Sequence, residues 1–233
     1  MATALVDYSS SDNSDDDNSQ SFKPNVPNQP LSVPPRRQQG TRALHIHVPV
    51  PFRDGLSDFV ERLVTEAQLA NPDITAIPSP HHVSLSRPVQ LRDFQVDRFV
   101  SQLGQELQTF TSFRLSFGSL AHYVNDEHTR SFLALNVGYG RDALSQLLQA
   151  VNRVLERFAL PTFYDEPRFH LSVASTPTPT GIGSATVHRL RMNAADFQGE
   201  LAYEARCRNS DFLVEVRHVV CRVGRQSYTL SLS

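Results

Sequence analysis

Short segments of the chain alternate between apolar and polar residues, and a period of two is typical of β-strands. This pattern, together with short apolar runs, predicts strands over residues 44–50, 82–89, 113–124, 131–137, 169–174, 212–223 and 226–232. In three other segments apolar residues recur every ~3.6 positions, which indicates amphipathic helices. The helices are predicted over residues 56–70, 96–110 and 141–158. Two of the strand pairs are predicted to be hairpins, so we expect an α+β fold with antiparallel sheets.

The predicted elements occur twice along the chain. A shift of 88 residues places the first strand on the strand at 131–137 and the first helix on the third helix. The two units span about residues 44–89 and 132–176, and each consists of a strand, a helix and a second strand. We therefore expect two pseudo-symmetric lobes, each an antiparallel sheet with helices on its outer face. The second strands of the two units should line a central groove.

The second strand of each unit carries the motif His-x-Ser. The two copies are His82-Val83-Ser84 and His170-Leu171-Ser172, and the offset between them is again 88 residues. Side chains on a strand alternate between its two faces, so each motif presents an imidazole and a hydroxyl to one side and an apolar residue to the other. One such motif is common by chance in a chain with nine histidines. Two copies at the offset of the repeat indicate a shared site.

Two imidazoles that face one groove suit the cleavage of RNA. A neutral histidine can take the proton of a ribose 2′-hydroxyl, while a protonated one gives a proton to the departing 5′-oxygen. An ordinary imidazole pKa of about 6.5 allows both states near neutral pH. The hydroxyls of Ser84 and Ser172 can donate to the phosphoryl oxygens on which negative charge develops. The sequence thus predicts a phosphodiesterase that leaves a 2′,3′-cyclic phosphate, with catalytic His82 and His170 and with phosphate-binding Ser84 and Ser172.

Composition changes this picture at the N-terminus. Residues 1–40 are rich in Ser, Asp, Asn, Gln and Pro and nearly lack aromatic residues, so we expect a disordered acidic tail ahead of a folded domain at 41–233. The net charge of the chain is −2, and all basic residues of 41–233 are arginines, whose planar guanidinium suits phosphate. This near-neutral balance favours a groove for a few nucleotides over an extended nucleic-acid interface.

Several classes of protein are not expected from the sequence. It has no apolar run of about 18 residues and no apolar signal-peptide core, so no membrane association is expected. Cys207 and Cys221 lack the CxxC spacing, and we interpret them as reduced thiols of an intracellular protein. His45 and His47 share a strand face, but their partners at the 88-residue offset are Leu133 and Leu135, so we expect structural histidines. His81 should point away from His82. No metal and no cofactor is predicted.

The double motif resembles the 2H phosphoesterase superfamily, and three tracts are similar to its U6 small nuclear RNA phosphodiesterase family. They are the residues 164–172 (YDEPRFHLS), the residues 82–87 (HVSLSR) and the start of the acidic tail, residues 5–10 (LVDYSS). The resemblance implies a metal-independent 3′-to-5′ exoribonuclease that trims the oligouridine end of U6 small nuclear RNA and leaves a cyclic or opened terminal phosphate. It implies a 2H phosphoesterase fold, and it implies that Tyr164 binds substrate by stacking on a base. A nuclear location, a uridine-rich single-stranded RNA partner, no DNA and a monomeric state are also expected.

Two alternatives remain open from sequence. One is a different 2H cyclic phosphodiesterase that acts on nucleotides or on tRNA ends. The other is a non-catalytic module that binds RNA in the same groove. The sequence does not decide which of His82 and His170 is the base and which is the acid.

Overall fold

A computed structural model describes residues 40–191, 197–204, 207 and 210–233, and of Gln198 only the backbone. The tail predicted to be disordered, residues 1–40, lies outside this part of the chain except for Gly40. The strands are β1 (Thr41–Val50), β2 (Thr75–Ala76), β3 (His81–Ser84), β4 (Val89–Arg92), β5 (Phe113–Leu115), β6 (Phe117–Val124), β7 (Ser131–Val137), β8 (His170–Thr176), β9 (Val214–Val216), β10 (His218–Val223) and β11 (Gln226–Ser231). The helices are α1 (Asp54–Ala70), α2 (Val96–Leu107), α3 (Arg141–Arg157), α4 (Ser184–Arg191) and α5 (Phe197–Glu204), and a 3₁₀ turn spans Asp93–Gln95.

Nine strands form one antiparallel sheet in the order β11-β10-β1-β3-β8-β7-β6, with β4 also paired to β1 and β2 to β8. Strands β5 and β9 form a separate pair. The order β1, α1, β3 of the first unit recurs as β7, α3, β8 in the second. The strands of the two units are joined at the middle of the sheet, where β3 pairs with β8 through Val83 and Leu171 and the short β2 also pairs with β8. The two lobes thus share one sheet, and the predicted α+β class is confirmed.

One face of the sheet is apolar and belongs to the core. On β1 the even-numbered residues from Leu44 to Val50 are at most 2% exposed, and they are in register with buried residues of β3 and β10. The apolar stripes of α1, α2 and α3 belong to the same buried cluster. Burial of this surface stabilises the fold by roughly 25 cal/mol for each Å² removed from water. The opposite face of the strands carries polar side chains.

Two helices in the second half of the chain were not predicted. Helices α4 and α5 are eight residues long, and α4 buries only Val187 and Leu190, so neither makes a sustained apolar stripe. The segment predicted as one strand at 212–223 is divided at Arg217 into β9 and β10, and that predicted at 82–89 ends at Ser84. Strand β8 spans His170–Thr176 and so ends two residues beyond the strand predicted at 169–174. Within the described residues no helix is long and apolar enough to cross a membrane.

Candidate active site

The four residues of the two His-x-Ser motifs that were predicted to act together lie around the junction of the lobes. Strands β3 and β8 are antiparallel and pair through the middle residue of each motif. An antiparallel pair puts the start of one motif opposite the end of the other, so His82 lies toward Ser172 and Ser84 toward His170. The arrangement has approximate twofold symmetry about the Val83–Leu171 pair. Each lobe therefore contributes one imidazole and one hydroxyl to the same place.

These four side chains line a single cleft of about 460 Å³, which we call the histidine cleft. Its other lining residues come from β2 and the segment after it, from the start of β3, from β7 and the residue before it, and from β8: Thr75, Ala76, Ile77, Pro78, His81, Arg130, Phe132 and Ser175. Arg130 donates to the hydroxyl of Ser175 at 2.8 Å and lies near the ring of Phe132. The cleft is thus lined by three imidazoles, four hydroxyls and one guanidinium beside an aromatic ring. This set suits a nucleotide phosphate.

Both motif histidines are held in the same way. His170 donates from Nδ1 to the carbonyl oxygen of Arg168 at 2.6 Å. The ring of His82 is hydrogen-bonded to the backbone of Pro80, which has only a carbonyl to offer, so His82 is again the donor. In each case the carbonyl belongs to the residue two positions earlier. Such a bond fixes the tautomer and the ring orientation and leaves the other ring nitrogen for proton transfer.

His82 belongs to a cluster of three imidazoles. The rings of His45 and His47 from β1 are stacked 5.0 Å apart, and they lie 5.2 and 4.8 Å from the ring of His82. The Nε2 of His45 is 3.1 Å from the hydroxyl oxygen of Ser84. These two histidines, which were predicted to be structural, therefore contact one half of the motif pair directly.

A one-residue change in the repeat offset explains why this contact was not predicted. In the sheet, Pro49 is opposite His82 and Asn136 is opposite His170, so β1 and β7 correspond at an offset of 87 residues, while the motifs correspond at 88. On a strand, a shift of one residue exchanges the two faces. His47 thus corresponds to Ala134, which pairs with Ser172 on the polar face of the sheet, and not to Leu135 on the core face.

His170 has different neighbours. The ring of Tyr123 from β6 stacks on it with centroids 4.1 Å apart, and the Tyr123 hydroxyl donates to Oδ1 of Asn136 at 2.6 Å. Asn136 in turn donates to the hydroxyl of Ser119 at 3.1 Å. The two histidines thus stand in unlike surroundings, an imidazole cluster on one side and a tyrosine-amide network on the other.

Burial lowers the pKa of every histidine at the site. Desolvation is the largest cause for His82 and His170, whose pKa values lie below the usual 6.5. It lowers the pKa of His45 to about 3 and that of His47 to about 4, with the charge of His82 as the next cause in both. Three close imidazoles cannot all be protonated, so His45 and His47 are neutral near pH 7 and the cluster carries at most the proton of His82.

These lowered pKa values make stability depend on pH. The unfolded chain protonates His45 and His47 near pH 6.5, whereas the folded chain does so only near pH 3 and 4. Below pH 6.5 the unfolded state binds more protons, so the free energy of unfolding is expected to fall as pH drops from 7 to 5. Urea titrations at several pH values measure this loss, which should be smaller in a His45→Asn, His47→Asn variant. An identical pH dependence in both proteins would contradict these pKa values.

Tyr164 makes contacts that bear on its predicted stacking role. Its hydroxyl donates to Asp126 at 2.7 Å, and the guanidinium of Arg87 lies 3.9 Å above its ring. Burial and the Asp126 carboxylate raise the pKa of Tyr164 to about 12. The side chain is 38% exposed and does not line the histidine cleft. The guanidinium of Arg87 thus covers one face of the Tyr164 ring. Stacking of Tyr164 on a base stays a prediction.

Two further expectations concern His81 and metal ligands. His81 is buried and stacks on Phe52 with centroids 4.0 Å apart, although it also reaches the wall of the histidine cleft. Cys207 and Cys221 are free thiols. Among the described residues, no group of three or more His, Cys, Asp or Glu side chains is placed to hold a metal ion.

Comparison with known proteins gives one family. The family model HVSL, described as an uncharacterised conserved protein, matches residues 35–231. The human protein named U6 snRNA phosphodiesterase 1 is 30% identical over 197 residues, which cover 84% of this chain and 71% of the human protein. The mouse protein of that name is 33% identical over 137 residues, which are 59% of this chain and 51% of the mouse protein. The match with the mouse relative thus spans about half of its length.

Solved structures agree in fold. Usb1 of Kluyveromyces marxianus with uridine monophosphate superposes with a TM-score of 0.58 at 16% identity, over 82% of this chain and 98% of that one. A protein from Thermus thermophilus superposes with a TM-score of 0.50 at 11% identity, over 81% of this chain and 97% of that one. At such identities the likeness shows a common fold.

Proposed function

Because the chain belongs to the U6 snRNA phosphodiesterase family, we propose that it is a metal-independent 3′-to-5′ exoribonuclease that trims the uridine-rich 3′ end of U6 small nuclear RNA. The observation that carries this proposal is the convergence of His82, Ser84, His170 and Ser172 on one cleft. Two imidazoles with fixed tautomers and two hydroxyls are the set that cleavage of RNA through its own 2′-hydroxyl requires.

In the proposed reaction one motif histidine is neutral and removes the proton of the 2′-hydroxyl next to the scissile phosphate. The 2′-oxygen then forms a bond to phosphorus while the bond to the 5′-oxygen of the terminal nucleoside breaks. The other motif histidine, protonated, gives its proton to that oxygen. The products are the released terminal nucleoside and an RNA with a 2′,3′-cyclic phosphate, which water can then open. Each proton transfer contributes typically ~10²–10⁴-fold to the rate.

Ser84 and Ser172 bind the phosphate in this proposal, and His45 positions Ser84. A serine hydroxyl has one hydrogen to donate. If Ser84 gave it to His45, none would remain for the phosphate. We therefore assign His45 the tautomer with Nε2–H, which donates to the Ser84 oxygen across their 3.1 Å contact and directs the Ser84 hydrogen into the cleft. The low pKa of His45 supports a neutral ring that can hold this tautomer.

Other parts of the proposal concern the substrate and its setting. Tyr164 stacks on a base of the RNA, a contact worth about 1–3 kcal/mol that tolerates different bases. The protein acts as a monomer on single-stranded RNA, and its substrate places it in the nucleus. The family name supports the U6 substrate, and the 460 Å³ volume of the histidine cleft supports a single terminal nucleotide held at a time.

The test is incubation with a U6-like RNA that ends in several uridines, in the presence of EDTA, followed by gel analysis. We expect stepwise shortening from the 3′ end by the wild type and none by a His82→Ala, His170→Ala double variant. An enzyme that opened 2′,3′-cyclic ends without ever shortening the RNA would instead be a cyclic phosphodiesterase. RNA binding with equal turnover in both proteins would indicate a non-catalytic module.

A further inference from the structure

A second and larger cleft begins beside His170. It has a volume of about 760 Å³ and lies along β6, the edge strand of the large sheet, between the loops that precede α3 and β8 and the helix α4. We call it the arginine cleft. Its lining includes Leu120, Tyr123, Arg141, Arg168 and Arg191. The four residues assigned to the proposed cleavage reaction, His82, Ser84, His170 and Ser172, do not line it.

The charged groups of this cleft have one sign. Arg141, Arg168 and Arg191 line it, and no carboxylate is among the described residues that do so. Arg141 donates to the carbonyl of Pro167 and Arg191 to that of Leu120, so their charges are not neutralised by these contacts. Arg168 is exposed and forms no hydrogen bond or ion pair through its side chain within the described residues. A concave wall with charge of one sign concentrates ligands of the opposite sign.

The arginine cleft and the histidine cleft lie on two sides of His170. His170 lines the histidine cleft, while its stacking partner Tyr123 and its carbonyl partner Arg168 line the arginine cleft. A phosphate bound between His82 and His170 therefore has a positively charged path on the far side of His170. The histidine cleft has room for one nucleotide, whereas the arginine cleft is larger and somewhat more open.

We propose that the arginine cleft binds the backbone phosphates of the RNA on the 5′ side of the cleaved linkage. This inference rests on the function proposed above. The terminal nucleotide of the RNA binds in the histidine cleft, and the rest of the RNA chain binds in the arginine cleft. The guanidinium groups of Arg141 and Arg168 contact successive phosphates. Because phosphate contacts carry no base information, the cleft accepts any upstream sequence and retains the shortened RNA for the next cut.

The experiment compares oligouridines of two to eight nucleotides, extended at their 5′ ends, as substrates for the full chain. For the wild type we expect KM to fall with each added nucleotide until the cleft is filled. For Arg168→Gln, and more strongly for Arg141→Gln, Arg168→Gln, we expect KM on the octanucleotide to rise roughly five- to tenfold at low salt. The slope of log KM against log salt should shrink by about 0.7 for each phosphate that the variant no longer binds.

The matched control is Arg189→Gln, which removes an exposed arginine of α4 that does not line the cleft. It should leave the length dependence and the salt slope as in the wild type, and thermal unfolding should show that all variants fold. A wild type whose KM does not depend on RNA length, or an Arg168→Gln variant that keeps the full dependence and slope, would overturn the inference. A wild type that cleaves none of these oligouridines, the octanucleotide included, would instead refute the proposed function.

Discussion

Alanine in place of His82 or His170 is expected to lower the rate of cleavage by ~10²–10⁴-fold each, because each variant lacks one proton transfer. The double variant should lose little more than the worse single variant, since neither proton transfer is useful when the other is missing. Single-turnover rates on a uridine-ended RNA measure these losses. Glutamine at either position should not restore the rate, because an amide keeps a hydrogen bond but does not exchange a proton near neutral pH.

A histidine outside the site provides the control for these variants. His128 lies in the turn between β6 and β7 with a φ of 52°, a conformation that asparagine adopts readily. His128→Asn should therefore fold and cleave as the wild type does. A rate within about threefold of wild type for His82→Ala or His170→Ala, in a protein that unfolds at the usual temperature, would remove that histidine from the mechanism.

Replacing Ser84 with alanine is expected to lower the rate by ~10²–10³-fold, the loss typical of one donor to a developing oxyanion. The contact of His45 with Ser84 adds a sharper expectation. His45→Ala should slow the enzyme about tenfold in the wild-type background, because the Ser84 hydroxyl is no longer directed. In a Ser84→Ala background the same change should have almost no effect, since the group that it orients is gone.

Ser172 is the matched control for this cycle. It occupies the equivalent place in the other motif, and the structure gives its hydroxyl no histidine partner among the described residues. Ser172→Ala should also slow cleavage. The rate loss caused by His45→Ala, however, should be as large in the Ser172→Ala background as in the wild type. Independent, multiplying effects of His45→Ala and Ser84→Ala would contradict the assignment of His45 as the residue that positions Ser84.

The placement of the two His-x-Ser motifs on one face of the sheet could be predicted from the sequence. Alternation on a strand is a local rule, and it put His82 with Ser84 and His170 with Ser172 on one face regardless of how the strands pair. The repeat then required the two faces to meet, and the antiparallel Val83–Leu171 pair brings them together.

The rest of the site depends on the register between paired strands. The pattern of residues along a single strand does not predict this register. The place of His45 and His47 beside His82 is set by the pairing of β1 with β3 and by an offset that changes from 88 to 87 residues. The stack of Tyr123 on His170 joins strands β6 and β8, which are not neighbours in the sheet. The arginine cleft draws on α4, whose two buried residues are too few to mark a helix.

The most direct test of the proposed 2′-hydroxyl mechanism uses a single 2′-deoxy substitution at the nucleotide before the 3′-terminal one, in EDTA, with mass analysis of the new RNA end. We expect the all-ribose RNA to lose its terminal nucleoside and to gain a 2′,3′-cyclic phosphate or the phosphate from its opening. The substituted RNA should stay intact, because its only route to cleavage at that linkage lacks a nucleophile. Release of the terminal residue from the deoxy RNA, or a product that ends in a free 3′-hydroxyl, would contradict this mechanism.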